Sequence, residues 1–241
     1  MAALDARNIP LCIVGDVNSR AVAEHTLMLM LAAARRTVVH DAAARSGNWN
    51  ERNTFNATEL DGKSLLVLGF GRIGRRVAAL AQAFGMTVLA YDPYVEHAAM
   101  NALGCQKTDS IELGLSAADF VSLHLPASKS PVIGAAQLAL MKPTAILVNA
   151  ARGELVDEMA LDAALRAGRL RHAALDVLLV EPPRAGQRLL SNSRVTISPH
   201  NAGLTDECAA RMAVAAVRNI PDYFSGRLDT RLVVNANNIT L

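Results

Sequence analysis

Cysteine is scarce: Cys12, Cys105 and Cys208 are all that this chain of 241 residues has. Three scattered thiols cannot frame a disulfide scaffold, and no C-x-x-C or Cys/His spacing offers a structural zinc site. No metal is expected, and a reducing, cytoplasmic compartment is. Long apolar runs are missing as well. The longest, "LMLMLAAA" from Leu27 to Ala34, falls far short of the ~20 residues that cross a bilayer, so no membrane partner is expected. Nor is there an excess of one charge: 24 Lys and Arg against 22 Asp and Glu leave +2. The charges are interspersed, which argues against a nucleic-acid partner. Asp5 and Arg7 precede an apolar run too short for a secretory signal, so no export is expected. With 51% hydrophobic residues, the chain has enough to build one large core or two unequal domains.

From Ser64 onward, short apolar runs alternate with helical patterns: "SLLVL", "MTVLAY", "ADFVSL", "TAILVN", "RHAALDV" and "RVTIS". Strands covered by helices on both faces read as continuous apolar runs, so this order predicts a parallel sheet of βαβ units, a doubly wound α/β fold. After the first run Ile73, Val77, Leu80 and Phe84 recur at helical spacing and Gly85 stops the helix. A later helix opens at Asp157 and Glu158, which suit its dipole, and ends at Gly168. The polar stretch "RSGNWNERNTFNATELDGK" is expected to be a surface loop. "NSRAVAEHTLMLMLAAARR" predicts one helix ending at Arg35 and Arg36, apolar on nearly all sides. Such a helix needs cover from several directions: deep burial within the chain, a neighbouring domain, or a homodimer through Val22–Arg36. Glu24 and His25 on it are expected to be surface or interface polar groups.

"LGFGRIGRR" sets Gly69, Gly71 and Gly74 in a G-x-G-x-x-G pattern between a strand and an amphipathic helix. The first glycine permits a tight turn, the second lets backbone amides approach a pyrophosphate, and the third allows close helix–sheet packing at a helix N-terminus that attracts phosphate. Asp92 follows at the end of the next strand, where a carboxylate can bond an adenosine ribose and repel a 2′-phosphate. Together these predict dinucleotide binding, with NAD favoured over NADP.

Other polar groups also sit just past apolar runs. Leu125 and Pro126 follow "FVSLH", Asn149 to Arg152 follow "AILV", Asp176 follows "AAL", and His200 follows "VTIS". In an open α/β sheet ligands bind outside the carboxyl ends of the strands, so these side chains are expected to converge. Singly, each has an ordinary explanation: Arg152 a surface cation, Glu181 a turn residue, His200 a polar strand end. Jointly they offer a cation, an imidazole and a carboxylate to keep that imidazole protonated, a carbonyl-reduction site.

"LGFGRIG", "AYDPY", "SLHLP", "LMKPTAILVNAARGELVDE", "AALDV" with "EPP", and "SPHNAG" resemble the D-isomer-specific 2-hydroxyacid dehydrogenase family along nearly the whole chain. The resemblance implies a Rossmann-type NAD-binding domain and hydride transfer between a 2-oxo acid and a D-2-hydroxy acid. It implies that His200 is the acid/base, Glu181 its partner and Arg152 the substrate-binding guanidinium. By the same resemblance Asp176 holds the nicotinamide carboxamide. The backbone around Arg72, Ile73, Leu125, Ala150, Ala151, Ala202 and Gly203 forms the rest of the cofactor wall. Glutamine replaces the Glu181 equivalent in the related formate dehydrogenases, which disfavours formate. Family members carry a substrate domain ahead of the NAD-binding part. Residues 1–18 are therefore expected to be its remnant, with "IPLCIV" its last strand. Residues 19–203 would be the NAD-binding domain including the long helix, and 204–241 a helix and tail returning to the substrate domain. A chain so built is expected to bind NAD with weak or absent turnover. The alternative is a non-catalytic NAD-binding protein of corepressor type.

Overall fold

The structure is a computed structural model that describes residues 1–240. In chain order these form helices α1 (Ala2–Asp5), α2 (Ser19–Arg35) and α3 (Thr37–Arg45), then strand β1 (Ser64–Leu68) and helix α4 (Arg72–Ala83). There follow β2 (Thr87–Tyr91), α5 (His97–Asn101), β3 (Gln106–Lys107), α6 (Ile111–Ala117) and β4 (Phe120–Leu123). The remainder is α7 (Ala135–Leu140), β5 (Ile146–Asn149), α8 (Glu158–Arg166), β6 (His172–Leu175), β7 (Val195–Ile197) and α9 (Asp206–Phe224). The chain divides into two compact units, Val22–Ala202, and Met1–Ala21 with the chain from Gly203 on.

The larger unit holds the whole sheet, in the order β3-β2-β1-β4-β5-β6-β7, with every neighbouring pair parallel. This is the doubly wound arrangement that the alternating runs predict. The central strands β1, β4, β5 and β6 are buried almost throughout because both faces are covered, while β3 and β7 at the edges are partly exposed. Leu65 and Val67 of β1 point into one core with α2 and α4. Leu66 and Leu68 point into the other, with α6, α7 and α8. Strand order reverses between β1 and β4, which opens a crevice at their carboxyl ends.

The turn after β1 depends on its glycines. Gly69 has φ +94°, and a Cβ there would stand 2.5 Å from the carbonyl oxygen of His124, just past β4. A Cβ on Gly74 would stand 2.1 Å from the carbonyl oxygen of Gly69, so only glycine lets α4 start this close to the sheet.

One open alternative is met and two expectations change. Helix α2 is covered from within its own unit: Leu27, Leu29, Met30, Ala33 and Ala34 are buried in the sheet's first core, and Met28 is its exposed large apolar side chain. Its all-round hydrophobicity therefore reflects deep burial. The helix stops one residue early because Arg36 takes a left-handed conformation, φ 52°, before α3 starts. Residues Trp49–Thr54, expected within a loop, form a 3-10 helix.

In the smaller unit, "IPLCIV" forms no strand. Cys12 makes a single antiparallel bridge to Val233, flanked by Ile13 N–H to Leu232 O and Val234 N–H to Leu11 O, each 2.8 Å. Pro10 has no N–H to extend the ladder. The buried side chain of Asn235 takes over, accepting from Leu11 N–H at 2.7 Å and donating to Ile9 O at 3.0 Å.

Substituting Gly74→Ala is expected to force α4 away from β1 and destabilise the protein by about 2 kcal/mol, the usual scale of overpacking. Urea denaturation would read this as a lower midpoint with an unchanged slope. An unaltered midpoint would show that α4 can move at no cost.

Candidate active site

The crevice between β1 and β4 is built for a dinucleotide. Gly69 N–H is bonded to Tyr91 O at 2.9 Å, which ties the turn to the end of β2. Gly71 caps α4 in an extended conformation, and a Cβ there would meet no atom within 4 Å. The space beside the helix N-terminus is thus open, and the amides of the first helical turn, those of Arg72 and Ile73 among them, have no partner inside the helix. Asp92 stands at the end of β2. Its Oδ2 accepts from Phe70 N–H and its Oδ1 from Tyr94 N–H, both at 2.9 Å. Each carboxylate oxygen retains a free lone pair, enough for a diol. Ile73, Val22, Ala150 and Ala202 form one apolar patch. Leu125 is half-buried, with a methyl carbon 3.2 Å from where a Gly69 Cβ would lie, and Pro126 beside it is exposed. These features fit a dinucleotide. Gly203 begins the smaller unit.

His124, beside Gly69, is held near an imidazole pKa of about 4 by burial, so it stays neutral, with Ser122 Oγ 2.9 Å from its Nε2. Sequence inspection gave it no role.

The three side chains expected to carry the chemistry lie past the ends of three strands. Asn149, buried as the last residue of β5, donates to Arg152 O at 2.8 Å and accepts from Ala151 N–H at 3.0 Å. It folds the turn that presents the exposed Arg152, whose guanidinium touches Ala151 O at 2.6 Å. Glu181 and His200 meet directly: Nδ1 of the histidine lies 2.6 Å from Oε2 of the glutamate. The other glutamate oxygen accepts from Leu178 N–H at 2.8 Å. Partial burial works against ionising Glu181, but the bonds from His200 and Leu178 outweigh it and hold the carboxyl below its usual range. Arg152, Glu181 and His200 line one small cleft of about 210 Å³. Glu181 and His200 also line a neighbouring cleft of about 390 Å³ with Asp176 and Ser198.

Asp176 organises this corner. Its carboxylate is 1% exposed. Its Oδ1 accepts from Ser198 Oγ at 2.6 Å and from Asn201 N–H at 3.0 Å, while Oδ2 accepts from Ala202 N–H at 3.0 Å. Its carbonyl accepts from His200 N–H at 2.8 Å. Burial opposes ionisation, yet His25, Ser198 and the two amides together hold the acid well below the ordinary carboxylate range. His200 needs such anchoring, since its backbone is left-handed at φ 52°. Oδ2, with one donor, keeps a lone pair for a carboxamide.

His25, expected to be a surface or interface group, belongs to this network. Its Nε2 is 2.9 Å from Ser198 Oγ and 3.3 Å from Asp176 Oδ1. With the serine proton given to Asp176, His25 acts as donor. Its helix places it there, 173 residues from Ser198, and no local motif marks it.

Comparison with known proteins agrees with this geometry. The profile for "D-isomer specific 2-hydroxyacid dehydrogenase, NAD binding domain" matches residues 27–202. The chain is 42% identical over 226 residues to D-3-phosphoglycerate dehydrogenase of Methanocaldococcus jannaschii, covering 93% of this chain and 43% of that protein. It thus spans less than half of that relative's length. Among solved structures, the TT0316 protein of Thermus thermophilus superposes with a TM-score of 0.86 at 37% identity, over 94% of this chain and 72% of that one. D-lactate dehydrogenase of Aquifex aeolicus, complexed with NAD and lactic acid, superposes with a TM-score of 0.84 at 30% identity, over 94% and 72%.

The lowered pKa of Asp176 has a testable consequence. A carboxyl whose folded pKa is lowered stabilises the fold above its unfolded value and loses that contribution as pH falls towards the folded one. Asp176→Asn, which sets an amide against four donors, is expected to cost about 3 kcal/mol near neutral pH. Urea melts would show the gap to wild type full above the ordinary value of 3.8 and shrinking below it. A gap independent of pH would dismiss the carboxylate as the source.

Proposed function

The chain belongs to the D-isomer specific 2-hydroxyacid dehydrogenase family, of which it carries the NAD-binding domain, and on that premise we propose that it reduces a small 2-oxo acid to the D-2-hydroxy acid with NADH. What carries the proposal is the 2.6 Å contact between His200 and Glu181 in a cleft shared with Arg152.

Each group has a role that its surroundings suit. NADH, when bound, would provide the hydride for the carbonyl carbon, and NAD would take it up in the reverse direction. His200 turns Nδ1 to Glu181, which leaves Nε2 to give a proton to the carbonyl oxygen as that oxygen gains negative charge. Ionised Glu181 compensates the positive charge on the doubly protonated ring and fixes its orientation. Arg152, with a rigid planar fork, binds the carboxylate and polarises the neighbouring carbonyl. The sum is a 2-oxo acid, NADH and one proton giving a 2-hydroxy acid and NAD. The first-turn amides of α4 and the turn at Gly71 would hold the pyrophosphate, and Asp92 the ribose. The carboxylate of Asp92 is the reason to favour NAD over NADP.

Phosphohydroxypyruvate, hydroxypyruvate and glyoxylate are the substrates to try, because the curated relative with 42% identity is a phosphoglycerate dehydrogenase. Cys12, Cys105 and Cys208 are free thiols, which supports residence in a reducing compartment such as the cytoplasm. Among the described residues no helix is long and apolar enough to cross a membrane. A homodimer through the Val22–Arg36 helix would rest on Met28, the large apolar side chain that α2 leaves 45% exposed.

His200→Ala is expected to lower kcat by about 10²- to 10⁴-fold while NADH affinity stays within a factor of two or so, because the imidazole serves the chemical step. Arg152→Ala is expected to lower kcat/KM by roughly 10- to 100-fold, the loss of a charge-assisted pair. NADH fluorescence titration and NADH consumption read the two effects separately. Turnover that survives loss of the imidazole would reject the assignment, and absence of NADH binding would reject the cofactor.

A further inference from the structure

Glu181 occupies an exposed loop with little apolar burial to hold it: Leu179 is 59% and Val180 43% exposed. Something else must fix the loop if Glu181 is to meet His200 at 2.6 Å. Two carboxylates one turn apart on α8 supply it. Glu158 Oε1 accepts from Leu179 N–H at 2.7 Å and its Oε2 accepts from the Gln187 side-chain amide at 2.6 Å. Asp162 accepts from the Asn192 side-chain amide at 2.9 Å and lies 3.4 Å from Arg188 Nε. The loop is therefore stitched to the helix at both ends, and Glu181 lies between the two residues that Glu158 holds.

The opposite side of the same peptide is closed by backbone. A Cβ on Gly153 would stand 2.1 Å from the carbonyl carbon and oxygen of Leu178 and 2.5 Å from Leu179 N. The Leu178–Leu179 peptide is thus confined between Gly153 and Glu158, and the neighbouring Leu178 N–H is aimed at Glu181 Oε1.

We propose that Glu158 is a positioning residue for the acid/base pair: by gripping Leu179 and Gln187 it sets Leu178 N–H against Glu181, and Glu181 against His200. It touches neither substrate nor cofactor. The inference rests on the roles given to Glu181 and His200 above. It also differs from the simpler role of an acidic side chain that favours a helix N-terminus, since that role needs only the charge.

Glutamine separates the two. Glu158→Gln keeps a carbonyl oxygen for Leu179 N–H and can pair with a flipped Gln187 amide, but it has lost the charge. Glu158→Ala loses both. Asp162→Asn disturbs the other stitch and serves as the structural comparison. Three measurements on the full chain suffice: the pH titration of the Glu181 carboxyl carbon by NMR, NADH affinity, and kcat with a 2-oxo acid.

Glu158→Ala is expected to move the Glu181 titration to higher pH, because a hydrogen bond to its ionised form is lost. The same variant should lower kcat roughly ten-fold, part of what general acid–base catalysis contributes, with NADH affinity unchanged. Glu158→Gln should restore both within about two-fold, and Asp162→Asn should lower stability without moving the Glu181 titration. An unmoved Glu181 titration in Glu158→Ala would overturn the proposal, as would equal shifts in all three variants. Should the wild-type chain turn over none of the 2-oxo acids, the catalytic reading fails by itself, while the carboxyl titration still decides whether Glu158 sets Glu181.

Discussion

A single buried carboxylate holds the corner of the proposed active site together. Asp176 directly follows β6, receives a hydroxyl, two amides and an imidazole, and passes its own carbonyl to His200 N–H. Its N–H goes to Asn149 O on the next strand at 2.9 Å. Through that bond the turn bearing Arg152 and the turn bearing His200 share one anchor. Ionised carboxylates deep in a protein persist when donors surround them, and here the donors come from two distant stretches of chain, His25 and residues 198–202. The sheet supplies the stiffness: β5 and β6, buried at every residue, cannot shift without opening a core, so Asn149 and Asp176 at their carboxyl ends keep their spacing.

Around that anchor the site is layered. Arg152, Glu181 and His200 face the cleft, while Asn149, Leu178 N–H and Asp176 fix them from behind. Farther out, Glu158 and Gly153 confine the peptide that feeds Glu181. Each outer contact is short range and made by backbone or by a carboxylate with two partners. Such contacts tolerate little displacement, and small displacements at a reacting centre have large effects on rate.

Much of this was legible in the sequence. Continuous apolar runs with helical spacers specify a parallel sheet, and the strand-end positions of Asp92, Arg152, Asp176 and His200 then follow from topology alone. The glycines at 69 and 74 announce close approaches, and a Cβ at either would stand within 2.5 or 2.1 Å of a backbone oxygen. What could not be read were contacts whose partners lie on separate elements with no fixed spacing. His25 and Ser198 are 173 residues apart. Glu158 looked like a helix-dipole residue because its second partner, Gln187, is 29 residues further on in a loop. The apolar, partly β-branched "IPLCIV" suits a strand or a single bridge equally, and only the extent of its pairing, here one bridge at Cys12–Val233, decides between them.

The backbone at His200 leads to a last point. Left-handed geometry at φ 52° favours glycine or asparagine, and an imidazole there is held at a conformational disadvantage of about 1 kcal/mol or more. A library of variants ranked purely by thermal endurance should therefore enrich small or amide side chains at position 200, against the acid/base role proposed for His200. Robustness and reactivity pull this one site in opposite directions.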